Sequence, residues 1–298
     1  MFDKKDEEYY MNKGRECQKK EKYNDAIKYY SKAIELNPKC WRAYNNIGLC
    51  YEELKEYEKA FNYFNKSIEI DPDSPIPYSN RGNLYGLLKK YSEALKYYQK
   101  ALELNPENIE TYYQNMGICY TNLDDYKNGL YYLNNAIKMN KNSLLAYHGR
   151  GFCNMNLENY NQAISDYTKV IDILDNNNDE MNENIDIYIE VLCNIGVCYK
   201  KLEDANIEIR YFTKAIEICE SNIDIKNQNV DNYLTLLYNR GCAYFDNEDF
   251  QKAYDDLIKY KEYGGEDTDL DYHIGLCLAM TGKEEDADEY MERAIDIY

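Results

Sequence analysis

The stretch WRAYNNIGLCYEELKEYEKAFNYFNKSIEIDPD, Trp41 to Asp73, sets the pattern that the rest of the chain copies. Gly48 is followed at three residues by Tyr51, at twelve by Ala60, at sixteen by Phe64 and at twenty-four by Pro72. The same skeleton begins at Gly14 and Gly82, and in weaker form at Gly117, Gly151, Gly196, Gly241 and Gly275. Successive glycines are 34, 34, 35, 34, 45, 45 and 34 residues apart. A fixed period of this size is the mark of a solenoid, in which each repeat buries its apolar faces against its neighbours.

Repeats that begin seven residues before each glycine span 7–40, 41–74, 75–108, 110–143, 144–177, 189–222, 234–267 and 268–298, after a lead-in at 1–6. In the second, Tyr44, Ile47, Gly48 and Tyr51 recur at helical spacing, as do Tyr57, Ala60, Phe61, Phe64 and Ile68. A polar break at Leu54–Glu56 separates the two sets. Each repeat is therefore a predicted pair of helices, A and B, joined by a tight turn. Gly at repeat position 8 and Ala at position 20 (Ala26, Ala60, Ala94, Ala163, Ala253, Ala287) let the two helices approach. Ala at position 27 (Ala33, Ala101, Ala136, Ala215, Ala294) sits where the next A helix packs. Aromatic residues at positions 11, 17 and 24 fill the remaining gaps, with Tyr23, Tyr57, Tyr91, Tyr126 and Tyr160 at position 17. Most of the 35 tyrosines are accordingly expected to be core rings whose hydroxyls reach the surface.

Gly, Tyr, Ala, Phe and Pro at these offsets resemble the tetratricopeptide repeat, which carries W-x2-L-G-x2-Y, then A-x3-F, then P, in a unit of about 34 residues. The first three repeats match closely from Gly14 to Pro106, and the resemblance extends over residues 7–298. It implies an all-α, right-handed superhelical solenoid of antiparallel helix pairs, with a concave groove lined by A helices that binds partner proteins. Residues 7–143 form four regular repeats, and 144–298 four more. The later repeats depart from the pattern. All five prolines precede residue 107, Gly129 and Glu208 stand where Ala is usual, and eleven-residue insertions at 178–188 and around 223–233 precede Gly196 and Gly241. Eleven residues are close to three helical turns, so the insertions are able to lengthen helices without rotating their apolar faces. No further polar helix follows the last B helix, whose own acidic residues (Glu284, Glu285, Asp286, Asp288, Glu289) are placed to cap the array.

Charge divides the chain. Residues 1–143 carry 22 Lys/Arg against 21 Asp/Glu, and residues 144–298 carry 13 against 33, for a net charge of −19. A polyanionic half repels phosphate backbones and argues against nucleic acid, while favouring a basic partner or serving as a solvated surface. No run of about 18 apolar residues is present, so no membrane-spanning helix is expected. The N-terminus is charged from Asp3 and lacks an apolar signal core, which points to the cytoplasm and to reduced thiols for the ten cysteines. Cys50, Cys119, Cys153, Cys198 and Cys277 share position 10, where a small buried residue is wanted.

The candidate binding residues lie two before each glycine: Asn12, Asn46, Asn80, Asn115, Gly149, Asn194, Asn239 and His273. In the family this position faces the groove. An asparagine there can hold an extended peptide backbone, because one amide both donates and accepts. It can equally hydrogen-bond within the array, and both readings stand at the level of sequence. Arg15, Arg42, Asn45, Asn83, Gln114 and His148 are the neighbouring groove positions expected to add specificity. The family's carboxylate-gripping pattern needs Lys at position 5, and none occurs there. Asp175, Asn177 and Asp179 open like a calcium loop, but Glu180 replaces the required Gly. No CxxC pair, nucleophile–base pair or phosphate-cradling glycine loop occurs, so neither catalysis nor a cofactor is expected. The function expected is a non-catalytic adaptor holding an extended partner segment. A scaffold that self-associates through its ends and a regulatory arm for an enzyme on another chain stay open as alternatives.

Overall fold

A computed structural model describes residues 6–105, 108–176, 181, 183–221, 226, 230–267 and 269–295. Among the described residues are sixteen helices and no strand. The helices alternate as A and B. The first four pairs are α1 (Glu7–Gln18) with α2 (Tyr23–Leu36), α3 (Trp41–Glu53) with α4 (Tyr57–Ile70), α5 (Pro75–Leu87) with α6 (Tyr91–Leu104), and α7 (Ile109–Asn122) with α8 (Tyr126–Met139). They are followed by α9 (Leu144–Asn156) with α10 (Tyr160–Asp175), α11 (Ile185–Lys201) with α12 (Ala205–Ser221), α13 (Val230–Asp246) with α14 (Phe250–Glu262), and α15 (Leu270–Met280) with α16 (Glu284–Ile295). The chain divides into two compact bodies, Met1–Gly149 and Arg150–Tyr298, and the division falls within α9. In the first body each helix from α1 to α8 packs on the next in chain order, and so does each from α10 to α16 in the second. Both are α-solenoids of helix pairs.

The turn between A and B is the same in every repeat. The residue at position 15 is left-handed: Glu21, Lys55, Lys89, Asp124, Glu158, Glu203 and Glu248 have φ of 56–62°, and Gly282 has φ 80°. The N–H that follows reaches back to the carbonyl five residues earlier, as in Lys22 to Cys17 (2.9 Å) and Glu56 to Tyr51 (2.8 Å). This is the helix-ending motif that usually recruits glycine. Seven repeats build it with a charged residue instead, at a conformational cost of about 1 kcal/mol each.

The core follows the small residues. A Cβ on Gly14 would lie 2.4 Å from the Tyr30 ring, and one on Gly48 2.6 Å from the Phe64 ring. In each repeat the glycine at position 8 makes room for the side chain at position 24, so the helices meet across that side chain rather than backbone to backbone. The position-20 alanines are buried, as are those at position 27. The position-17 tyrosines are only half-buried and begin the B helices. Most fully buried rings come instead from position 24 (Tyr30, Phe64, Tyr167, Phe212), joined by Tyr233 just ahead of the seventh repeat.

Positions 11 and 23 show two solutions to one packing problem. Tyr85 stacks on Tyr97 and Tyr120 on Tyr132, each at 5.3 Å, and Tyr199 stacks on Tyr211 at 5.9 Å. In the fifth and seventh repeats position 23 is aspartate, and an arginine at position 7 clamps it. Arg150 Nε donates to Asp166 at 2.9 Å, and Arg240 Nε and Nη2 donate to Asp256 at 2.7 Å each.

The sixth and seventh A helices run 17 residues and begin at Ile185 and Val230, four residues ahead of the repeat starts. The fifth and sixth B helices run 16 and 17 residues, against 14 for α2, α4, α6 and α8. Part of the inserted sequence therefore lengthens helices. Residues 177–180, 182, 222–225 and 227–229 lie outside the described residues, and with them Asn177 and Asp179 of the calcium-like run.

Candidate functional site

Helical spacing brings one set of side chains onto one face of α1 and α3. Met11, Arg15 and Gln18 fall at i, i+4 and i+7, and Trp41, Asn45 and Leu49 at i, i+4 and i+8. With Arg42, Asn46 and Ile76 of α5 they line a cleft of about 290 Å³ in the first body. Its lining is apolar at Met11, Trp41, Leu49 and Ile76, carries amides at Gln18, Asn45 and Asn46, and is charged at Arg15 and Arg42. The Arg42 guanidinium lies 5.2 Å from the Trp41 ring centre, and Arg15 Nη1 donates to Asn12 Oδ1 at 3.1 Å.

The amides are joined from repeat to repeat. Asn80 Nδ2 donates to Asn45 Oδ1 at 2.8 Å, and Asn45 Nδ2 lies 3.4 Å from Asn46 Oδ1. Further along, Asn115 Nδ2 donates to Asn83 Oδ1 at 3.3 Å, and the same oxygen accepts from the Tyr98 hydroxyl at 2.8 Å. Three asparagines of the row also face the position-24 tyrosine of the preceding repeat. Burial pushes the Tyr30 phenol up to about 12, and the Asn46 amide opposes that rise. Tyr98 is likewise raised by burial and opposed by Asn115, and Tyr167 is raised by burial and opposed by Asn194. Where position 24 is not tyrosine the pattern changes: Asn80 follows Phe64, and Gly149 follows Leu133, whose Cδ1 would meet an added Cβ at 3.2 Å.

The structure thus brings Arg15, Arg42, Asn45 and Asn46 into one cleft and ties Asn80 to it, while Asn83 and Asn115 form a second group. Asn12, Arg15, Arg42 and Asn83 are exposed, whereas Asn46, Asn80, Asn115, Asn194 and Asn239 are half-buried. Asn45 is only 3% exposed and acts as a link between repeats as much as a wall of the cleft. Gln114 accepts from the Ser143 hydroxyl at 2.6 Å, which turns its amide oxygen toward the array. His148 is half-buried in α9, and Asn194 and Asn239 belong to α11 and α13 of the second body.

All ten cysteines are free thiols. Those at position 10 are buried, and burial pushes Cys50 and Cys119 up to about 12 and Cys198 and Cys277 to about 11. No group of three His, Cys, Asp or Glu side chains among the described residues is placed to hold a metal ion. No described helix is long and apolar enough to cross a membrane. Two features went unread in the sequence. The Arg–Asp clamps were visible as arginine before the glycine with aspartate sixteen residues on. Glu208, the departure from Ala, is a carboxyl group 4% exposed whose Oε1 has no hydrogen-bond partner among the described residues. Burial, opposed in part by Lys200 and reinforced by Asp246, raises it from 4.5 to about 7.

Three family models, each described as Tetratricopeptide repeat, match residues 11–75, residues 75–108, and residues 144–176 with 189–222, together more than half of the chain. No curated protein sequence matches significantly. Among solved structures, PilW, described as a widely conserved type IV pilus biogenesis factor, superposes with a TM-score of 0.60 at 20% identity, over 70% of this chain and 91% of PilW. Pseudomonas aeruginosa PilF does so with 0.61 at 16%, over 76% and 97%. YrrB, described as a TPR protein with an unusual peptide-binding site, does so with 0.52 at 25%, over 67% and 97%. Repeat spacing, sixteen paired helices and three matching models agree that the chain belongs to the tetratricopeptide repeat family.

Proposed function

We propose that the protein is a non-catalytic adaptor that holds an extended segment of a partner protein along the A helices of its first body. The tetratricopeptide architecture supports a protein-interaction module. The observation that carries the finer reading is the chain of amides from Asn46 through Asn45 to Asn80, opening on a cleft with a partly apolar lining. A primary amide offers two donors and an acceptor with two lone pairs, so the bonds made within the array leave capacity for a peptide unit. Internal bonding and peptide capture are then compatible: the first orients amides that the second uses. YrrB, similar over two-thirds of the chain and described by its own peptide-binding site, supports the same reading. The acidic second body, whose Asn194 and Asn239 continue the pattern, is suited to a basic partner.

The test uses peptides selected from a random display library against the full chain. Replacing Asn46, Asn80 and Asn115 together by Ala removes three amides at roughly 1 kcal/mol each, so affinity should fall about a hundredfold with helicity retained. Unchanged affinity in a folded triple variant contradicts backbone capture by this row.

A further inference from the structure

The cleft on α1 and α3 presents two exposed arginines, Arg15 and Arg42, with no acid among its lining residues. The whole chain carries −19, yet none of the residues lining this cleft is a carboxylate. Among the described residues neither Arg15 nor Arg42 has a carboxylate within ion-pair distance, whereas Arg150, Arg240 and Arg293 each do. Arg42 rests on the Trp41 ring, which occupies the guanidinium face and leaves its edge, where the N–H donors lie. Beside these cations Ile76 is 47% exposed, with half-buried Leu49 and the edge of buried Met11 alongside. A guanidinium fork matches a carboxylate in two parallel hydrogen bonds, and the exposed Ile76 side chain gains from being covered. At about 290 Å³ the cleft lies at the small end of ligand sites, so it takes a short stretch of chain.

Resting on the peptide-capture reading above, we propose that the captured segment is acidic and apolar together: an Asp or Glu seated on Arg15 and Arg42, beside an aliphatic or aromatic side chain on Met11, Leu49 and Ile76. The amides then hold the backbone between these two anchors. Charge complementarity selects this partner over a basic or neutral one at this cleft, even though the second body carries the opposite preference.

The experiment sequences the peptides enriched from a random display library by the full chain. The best are then titrated while following Trp41, the single tryptophan of the protein, which lines the cleft. Enriched peptides should pair Asp or Glu with Leu, Ile, Met or Phe. The exposed pair Arg15→Ala/Arg42→Ala should weaken them about tenfold or more, with the circular dichroism unchanged, and added salt should weaken the wild type more than this variant. Enriched peptides that are neutral or basic, and whose binding needs the asparagine row, overturn this proposal and leave peptide capture standing. Acidic peptides indifferent to both arginines overturn the placement in this cleft. Self-association abolished by the same two substitutions makes a second copy the occupant and overturns the choice of an acidic partner segment. Absence of any enriched peptide removes both this proposal and the capture reading on which it rests.

Discussion

Glu208 occupies the repeat position that other repeats give to alanine or glycine, and it does so almost out of contact with water. Its carboxyl is raised from 4.5 to about 7, first by burial. Between these two values the folded protein keeps a proton that the unfolded chain has lost. Stability therefore falls as pH rises through this window and levels off above about 7. The shift corresponds to at most about 3 kcal/mol. Glu208→Gln should flatten the pH dependence of the thermal midpoint between pH 5 and 8, and relative to wild type it should be more stable at pH 8 than at pH 5. A wild-type midpoint that rises across that window with the same slope as the variant's would show that Glu208 is not the group responsible. The residue scale also shows why the asparagine row was only half legible. The glycine two residues on announces the register of Asn46. Its hydroxyl neighbour is Tyr30, on the preceding repeat, and whether the amide faces a phenol or another amide depends on position 24 next door. A single repeat read alone does not contain that answer.

At the scale of the element, the turns and the interhelical clamps are regular in ways that residue types disguise. Position 15 is left-handed in all eight repeats, yet only Gly282 has the residue that this conformation favours. The sequence placed a polar break there and no more, because Glu, Lys and Asp carry no mark of a positive φ. Lys89→Gly should therefore stabilise the first body by up to about 1 kcal/mol, net of the extra freedom glycine adds to the unfolded chain. A lower denaturation midpoint for that variant would contradict the turn geometry. The Arg–Asp clamps stand where other repeats stack two tyrosines. Asp256 is 5% exposed and accepts both bonds from Arg240. Arg240→Ala strands a buried carboxylate and should cost about 3–5 kcal/mol in denaturant unfolding, with a smaller loss for Asp256→Asn. Equal and small losses for both would assign the pair to the solvated surface.

For the molecule as a whole, the helix pairs were legible because a solenoid repeats its solution. Gly14 to Gly117 at near-constant spacing predicts α1 to α8 directly. The stretched spacing before Gly196 and Gly241 is partly helix, since α11 and α13 each start a turn early. Charge is partitioned along the same line as structure: the residues up to Gly149 balance to within one charge, and those from Arg150 carry the excess of acid. Locating a bound peptide tests capture by the first body most directly. A display-selected peptide carrying a photoreactive side chain, crosslinked to the full chain and mapped by mass spectrometry, should attach to α1, α3 and α5 near Met11, Trp41, Leu49 and Ile76. The crosslinks should be lost when Asn46, Asn80 and Asn115 are replaced by Ala. Crosslinks confined to the B helices, or to residues 150–298, would contradict capture on the A helices of the first body.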